Sequence, residues 1–71
     1  MDERDFDSCV TAEVTAGQMQ KIYLRLEDEA RPHAVRISKS RPHIKRVAIY
    51  CDAKDVAHFN TIVSDENKTE L

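Results

Sequence analysis

The sequence predicts a small α+β fold, a β-α-β-β-α sandwich built on a single sheet layer. Three observations predict it. Apolar and polar residues alternate in three short segments, which is the period of a half-buried strand. Two further segments repeat apolar residues at helical spacing. Residues suited to helix capping stand ahead of both helical segments. At 71 residues the chain supports one domain and one small core. Domains of this size often gain stability by dimerising or by docking on a partner.

The first element is "CVTAEVT", where Val10, Ala12 and Val14 alternate with Thr11, Glu13 and Thr15. The second, "TAGQMQKIYLRLEDEAR", has two readings. As a strand it would place Ile22, Leu24 and Leu26 on one face; as a helix, Met19, Ile22, Tyr23, Leu26 and Ala30 form one stripe. The ends favour the helix. Thr15 and Gln18 fit a capping box, Val14 and Met19 fit a hydrophobic staple, and Pro32 closes the segment. Gly17, the like-charged Lys21 and Arg25, and the acids near the carboxyl end oppose it.

The third and fourth elements, "HAVRIS" and "IKRVAIYC", read as strands joined by a short "KSRPH" connection. Val47, Ile49 and Cys51 lie on one face of the fourth, Ile44, Ala48 and Tyr50 on the other. A strand apolar on both faces belongs in the middle of a sheet. In the fifth element Asp52 is the expected N-cap and Cys51 staples to Val56 across it. Ala53, Val56, Phe59 and Val63 make the stripe, with Ile62 on its flank and His58 on the far side.

A right-handed crossover from the first strand to the second leaves room for the third between them. The predicted architecture is a three-stranded mixed sheet in order 1-3-2 with both helices on one face. It occupies residues 8–65, between a flexible acidic tail at 1–7 and a frayed end at 66–71. The alternative is a four-stranded antiparallel meander with one C-terminal helix.

Charge is segregated along the chain. Residues 1–30 sum to −5, residues 31–51 to +6 and residues 52–71 to −3, within a net −2. The basic segment, "RPHAVRISKSRPHIKRVAIYC", says RPH twice, and each copy stands ahead of a strand. Proline holds the chain extended there and needs no ladder partner, so the repeat is turn chemistry. Its charge is a separate matter, because segregated charge selects which partners are steered in.

If the helices cover Val10, Val14, Val35, Ile37, Val47 and Ile49, the opposite sheet face is open. Arg36, Arg46 and Tyr50 then stand on adjacent strands beside Ile44 and Ala48, and Lys39, Arg41 and His43 extend the surface through the hairpin connection. An apolar and aromatic centre rimmed by cations is composed like a protein interface. The expected function is that of a small non-enzymatic regulatory or inhibitory binding protein acting through Arg36, Lys39, Arg41, His43, Ile44, Arg46 and Tyr50. Its expected partner is a larger protein with an acidic surface, for instance one that handles nucleic acid; a homodimer would use the same kind of contact. The alternative is a single-stranded nucleic-acid-binding module on the same face, with bases stacked on the ring and phosphates following the guanidiniums.

Other chemistries find little support. One glycine excludes a Gly-rich phosphate loop. Cys9, His33, His43, Cys51 and His58 supply metal-ligand types, but their spacings lack the close pairs of structural zinc sites. No metal or other cofactor is expected, and no acid pair or Ser-His-Asp set suggests an enzyme. Cys51 ahead of a helix amino terminus suits a reactive thiol, yet its staple role predicts burial, and both cysteines are expected as buried free thiols. No apolar run approaches the roughly 18 residues of a membrane span. "MDERDFDS" is the opposite of a secretory leader, so the expected compartment is the cytoplasm.

Overall fold

A computed structural model describes residues 5–68 of the chain. Its elements follow in the order β1 (Ser8–Thr15), α1 (Ala16–Glu27), β2 (Ala34–Arg41), β3 (Ile44–Cys51), a short 3₁₀ turn (Ala53–Asp55) and α2 (Val56–Lys68). The strands form one sheet in order β1-β3-β2, and both helices lie on one face of it. The twice-apolar strand is central, as its composition requires.

Both ladders are antiparallel. The crossover does make β1 and β2 run the same way, but β3 separates them. The expected mixed sheet therefore contains no parallel pairing.

Residues directly opposite in an antiparallel pair share a face. Val10↔Ile49, Ala12↔Val47, Val35↔Ile49 and Ile37↔Val47 put one apolar set under the helices. Met19, Ile22 and Leu26 from α1 and Phe59, Ile62 and Val63 from α2 close on it. Phe59 is wholly buried at the centre of this core.

Local chemistry sets the element ends. Thr15 caps α1 through a full capping box: its Oγ1 accepts from Gln18 N at 3.2 Å, and Gln18 Oε1 accepts from Thr15 N at 2.8 Å. The helix stops at Glu27 with Asp28 as C-cap, short of the expected limit at Pro32. Acids at 27, 28 and 29 oppose the negative end of the helix dipole, and Glu29 is engaged elsewhere. Ala30 consequently leaves the predicted stripe and is exposed, and Tyr23 is 44% exposed.

Two further expectations shift. Strand β2 runs on to Arg41, so Lys39 and Arg41 belong to the strand and only Pro42 and His43 turn the hairpin. A bulge between Lys39 and Arg41 takes up the extra residue. Proline followed by a residue at φ 67° fits a type II turn, which normally wants glycine where His43 stands. At the foot of α2, Asp52 makes no side-chain cap; Asp7 Oδ1 instead accepts from Ala53 N at 3.0 Å. Asp7 thus anchors the end of the expected 1–7 tail, of which residues 1–4 lie outside the described residues. Helix α2 continues past the expected domain end at 65; residues 69–71 of the expected frayed end likewise lie outside.

Candidate partner-binding face

The face of the sheet away from the helices is assembled in cross-strand rows. Cys9, Tyr50 and Ala34 form the first; Thr11, Ala48 and Arg36 the second; Glu13, Arg46 and Ser38 the third; Thr15, Ile44 and Arg41 the fourth. Helices α1 and α2 pack on the opposite side. Ala34, Ile44, Ala48 and Tyr50 are therefore only half-buried, on their own sheet alone.

Five of the seven candidate residues meet on this face: Arg36, Arg41, Ile44, Arg46 and Tyr50. Arg41 arrives there through the bulge, which resets the alternation after Lys39. Lys39 points to the helix side, directly opposite Lys45. His43 sits at the hairpin tip. Lys39, Arg41, His43 and Lys45 also line a groove of about 590 Å³ around the turn, beside the start of α1.

An acid organises the third and fourth rows. Glu13 Oε1 accepts from Ser40 Oγ at 2.7 Å and from Arg46 Nη2 at 3.2 Å, and Oε2 accepts from Arg41 Nη2 at 3.1 Å. The Ser40 hydroxyl first, then Arg46, holds the Glu13 carboxyl below its ordinary range. The Arg41 and Arg46 guanidiniums are thereby both engaged by one carboxylate within the chain. Sequence reasoning placed Glu13 on this face without seeing its role; the signal was an acid in line with Arg46 across the central strand.

A second polar cluster lies on the helix side, where sequence reasoning saw only a solvent-facing His58. The His58 ring is in short hydrogen-bond contact with Glu29. Glu29 also accepts from Arg31 N at 3.0 Å, and Arg31 Nε lies 3.3 Å from Asp55 Oδ1. The hydrogen bond to His58, then that from the Arg31 backbone, lowers the Glu29 pKa to about 2. His33 Nδ1 donates to Arg31 O (2.8 Å), and both His33 and His58 pack on Phe59. The cluster ties the loop after α1 to the start of α2. Asp55 Oδ2 is buried in it with no hydrogen-bond partner among the described residues.

Both cysteines are free thiols. Cys51 is buried, and burial, reinforced by the Asp55 and Asp52 carboxylates, pushes its pKa up rather than down. Cys9 departs from expectation: alternation with the buried Val10 turns it out onto the open face, and it is exposed. Among the described residues no group of three or more His, Cys, Asp or Glu is placed to hold a metal ion. Nor is any of their helices long and apolar enough to cross a membrane. Comparisons with protein-family models, with curated proteins and with solved structures found no match.

Proposed function

We propose that this chain is a small binding protein that regulates or inhibits a larger protein partner through the open face of its sheet. The observation that supports this most is the half-buried apolar set left against no helix among the described residues, with Tyr50, Ala48 and Ala34 at one end and Ile44 at the other, Arg46 between them and Arg36 and Arg41 alongside. Such a surface is built like an interface, with an aromatic anchor and cations around it.

Glu13 weighs against phosphate tracking across the same face. Its ionised carboxylate stands between Arg41 and Arg46, and a phosphate approaching either guanidinium meets that negative charge. A protein partner has a different use for the trio: its acidic side chains reach the outer edges of guanidiniums that Glu13 already orients. The pre-set geometry reduces the side-chain entropy lost on binding.

A second reading rests on the hairpin groove, where Lys39, Arg41, His43 and Lys45 surround Ile44. Single-stranded nucleic acid would enter there and stack on Tyr50. Salt separates the two. Phosphate contacts release counterions and weaken steeply with ionic strength, whereas a contact centred on Tyr50 and Ile44 changes far less.

The test carries a photo-crosslinking residue at Thr11, on the open face, into an extract of the native cells. The wild-type surface is expected to capture a defined protein at physiological salt, and Tyr50→Ala with Ile44→Asp to lose it. Capture that ignores both substitutions sinks the proposal. Anisotropy titrations with labelled single-stranded RNA and DNA run alongside; tight binding that persists at physiological salt and fails on Tyr50→Ala replaces it with the second reading.

A further inference from the structure

The sheet has two edges, and they are not alike. Both helices pack over β1, whose inward residues Val10 and Val14 are buried. The helices scarcely reach β2. On its helix side Val35 is only partly buried and Ile37 is 37% exposed. A shallow groove of about 220 Å³ separates β2 from α1, lined by Tyr23, Leu26, Glu27, His33 and Val35. Among the described residues, strand β2 therefore combines an edge with one ladder only, to β3, and an apolar flank that no helix closes.

We propose that a second copy of this chain pairs along the edge of β2, antiparallel about a twofold axis at Ile37. The product is a six-stranded sheet with four helices on one face. Ile37 meets its own copy, and the half-open groove beside Tyr23 becomes an interior.

Charge selects both the occupant and the register. Pairing centred on Arg36 would set two guanidiniums side by side, which is unfavourable. Centring on Ile37 sets Arg36 opposite Ser38 of the second copy and Lys39 opposite Val35 of the second copy. Val35 shares its groove with Glu27. Each copy's Lys39, which faces the like-charged Lys45 within its own sheet, thus gains an acid from the other copy. A lysine and a bulge also guard edges meant to stay free; Glu27 is what distinguishes this one, since among the described residues Lys39 has no acid partner within its own copy and gains one in the paired form. The interface is a strand edge about 27 Å long plus the flank of α1. That is a small contact beside the roughly 800 Å² per partner of standard specific interfaces, so the equilibrium is sought from micromolar concentration upward. The open face on the other side of the sheet is left uncovered and doubled, so a monomeric result would leave the partner proposal standing.

The experiment is sedimentation equilibrium of the full chain from micromolar to millimolar concentration, joined to a cysteine scan in a Cys9→Ser background. A monomer–dimer equilibrium is expected, weakened at least about tenfold by Glu27→Lys, which costs about 1.4 kcal/mol. Adding Lys39→Glu to Glu27→Lys restores it. Directly opposed strand residues have Cα atoms about 4.5–5.5 Å apart, within disulfide reach. Ile37→Cys is therefore expected to cross-link quantitatively under mild oxidation. Arg36→Cys and Ser38→Cys meet their own copies at about 8 Å, past that reach, and stay monomeric on denaturing gels. A monomer across the whole range, cross-linking at 36 or 38 as fast as at 37, or a charge swap that fails to restore pairing would each overturn the proposal.

Discussion

Removing the charge of Glu29 tests whether the clamp between the α1–β2 loop and α2 carries stability. The perturbation is Glu29→Gln, which keeps the shape and one acceptor oxygen. In the folded chain the Glu29 pKa stands at about 2, against 4.5 ordinarily, chiefly because of the His58 hydrogen bond. A depression of that size corresponds to about 3 kcal/mol at most. Glu29 is 11% exposed, but His58 is 35% exposed and Arg31 49% exposed, so water screens the cluster. The discounted contribution is about 1–2 kcal/mol. Because the folded pKa lies below the unfolded one, this stability is fully present above about pH 4.5. It is lost as pH falls from there towards 2.

Urea unfolding of wild type and Glu29→Gln, followed by circular dichroism from pH 7 down to pH 2.5, reads it directly. Other carboxylates titrate in both proteins and cancel in the difference. The expected gap is about 1–2 kcal/mol at pH 7, or roughly 5–15 °C in Tm for a domain this small, shrinking steadily below pH 4.5. Two parallel curves down to the lowest pH would show that the Glu29 charge contributes nothing, and the reasoning would fail.

Three further outcomes are expected. His43→Gly relieves a left-handed side-chain residue but adds unfolded-state entropy, for a net gain of about 0.5 kcal/mol in thermal unfolding; a loss of stability would mean the His43 ring makes contacts worth more than its backbone strain. Thr15→Ala removes the α1 capping box and lowers stability by about 1 kcal/mol in denaturant titration, and an unchanged midpoint would show the cap to be idle. In thiol titration of the native protein one cysteine, Cys9, reacts at once, and Cys51 reacts only on unfolding; two fast thiols would contradict the burial of Cys51.

What the sequence disclosed depended on whether a pattern was local. Periodicity and the Thr15/Gln18 capping pair located the strands and both α-helices, because these signals sit within a few residues of one another, and the two apolar faces of β3 agreed with the order that the crossover implied. The α1 end was misplaced because Glu29 and Arg31 leave the helix to meet His58 and Asp55, about 27 residues further on. Asp52 lost its capping role to Asp7 across 46 residues for the same reason. The extra length of β2 was hidden by a bulge, whose change of alternation mimics a loop. Cys9 is different: its outward direction followed from the alternation already used for Val10. On the candidate face, the guanidiniums and Tyr50 were legible from strand period and register. The Glu13 tether was not, since Arg41 reaches it only after the bulge redirects it, and Ser40 fell in the expected connection rather than the strand.

The central strand is also the last to be synthesised. Every ladder in the sheet includes β3, so a nascent chain that has released only β1, α1 and β2 owns two strands with no partner between them. Until Ile44–Cys51 emerges, Val10, Val14, Val35 and Ile37 have no sheet to join. Assembly of the sheet therefore waits for β3, and closure of the core waits for α2 after it. A chain released at the hairpin would be left as two unsealed edges, a form for chaperones and proteases rather than for any partner.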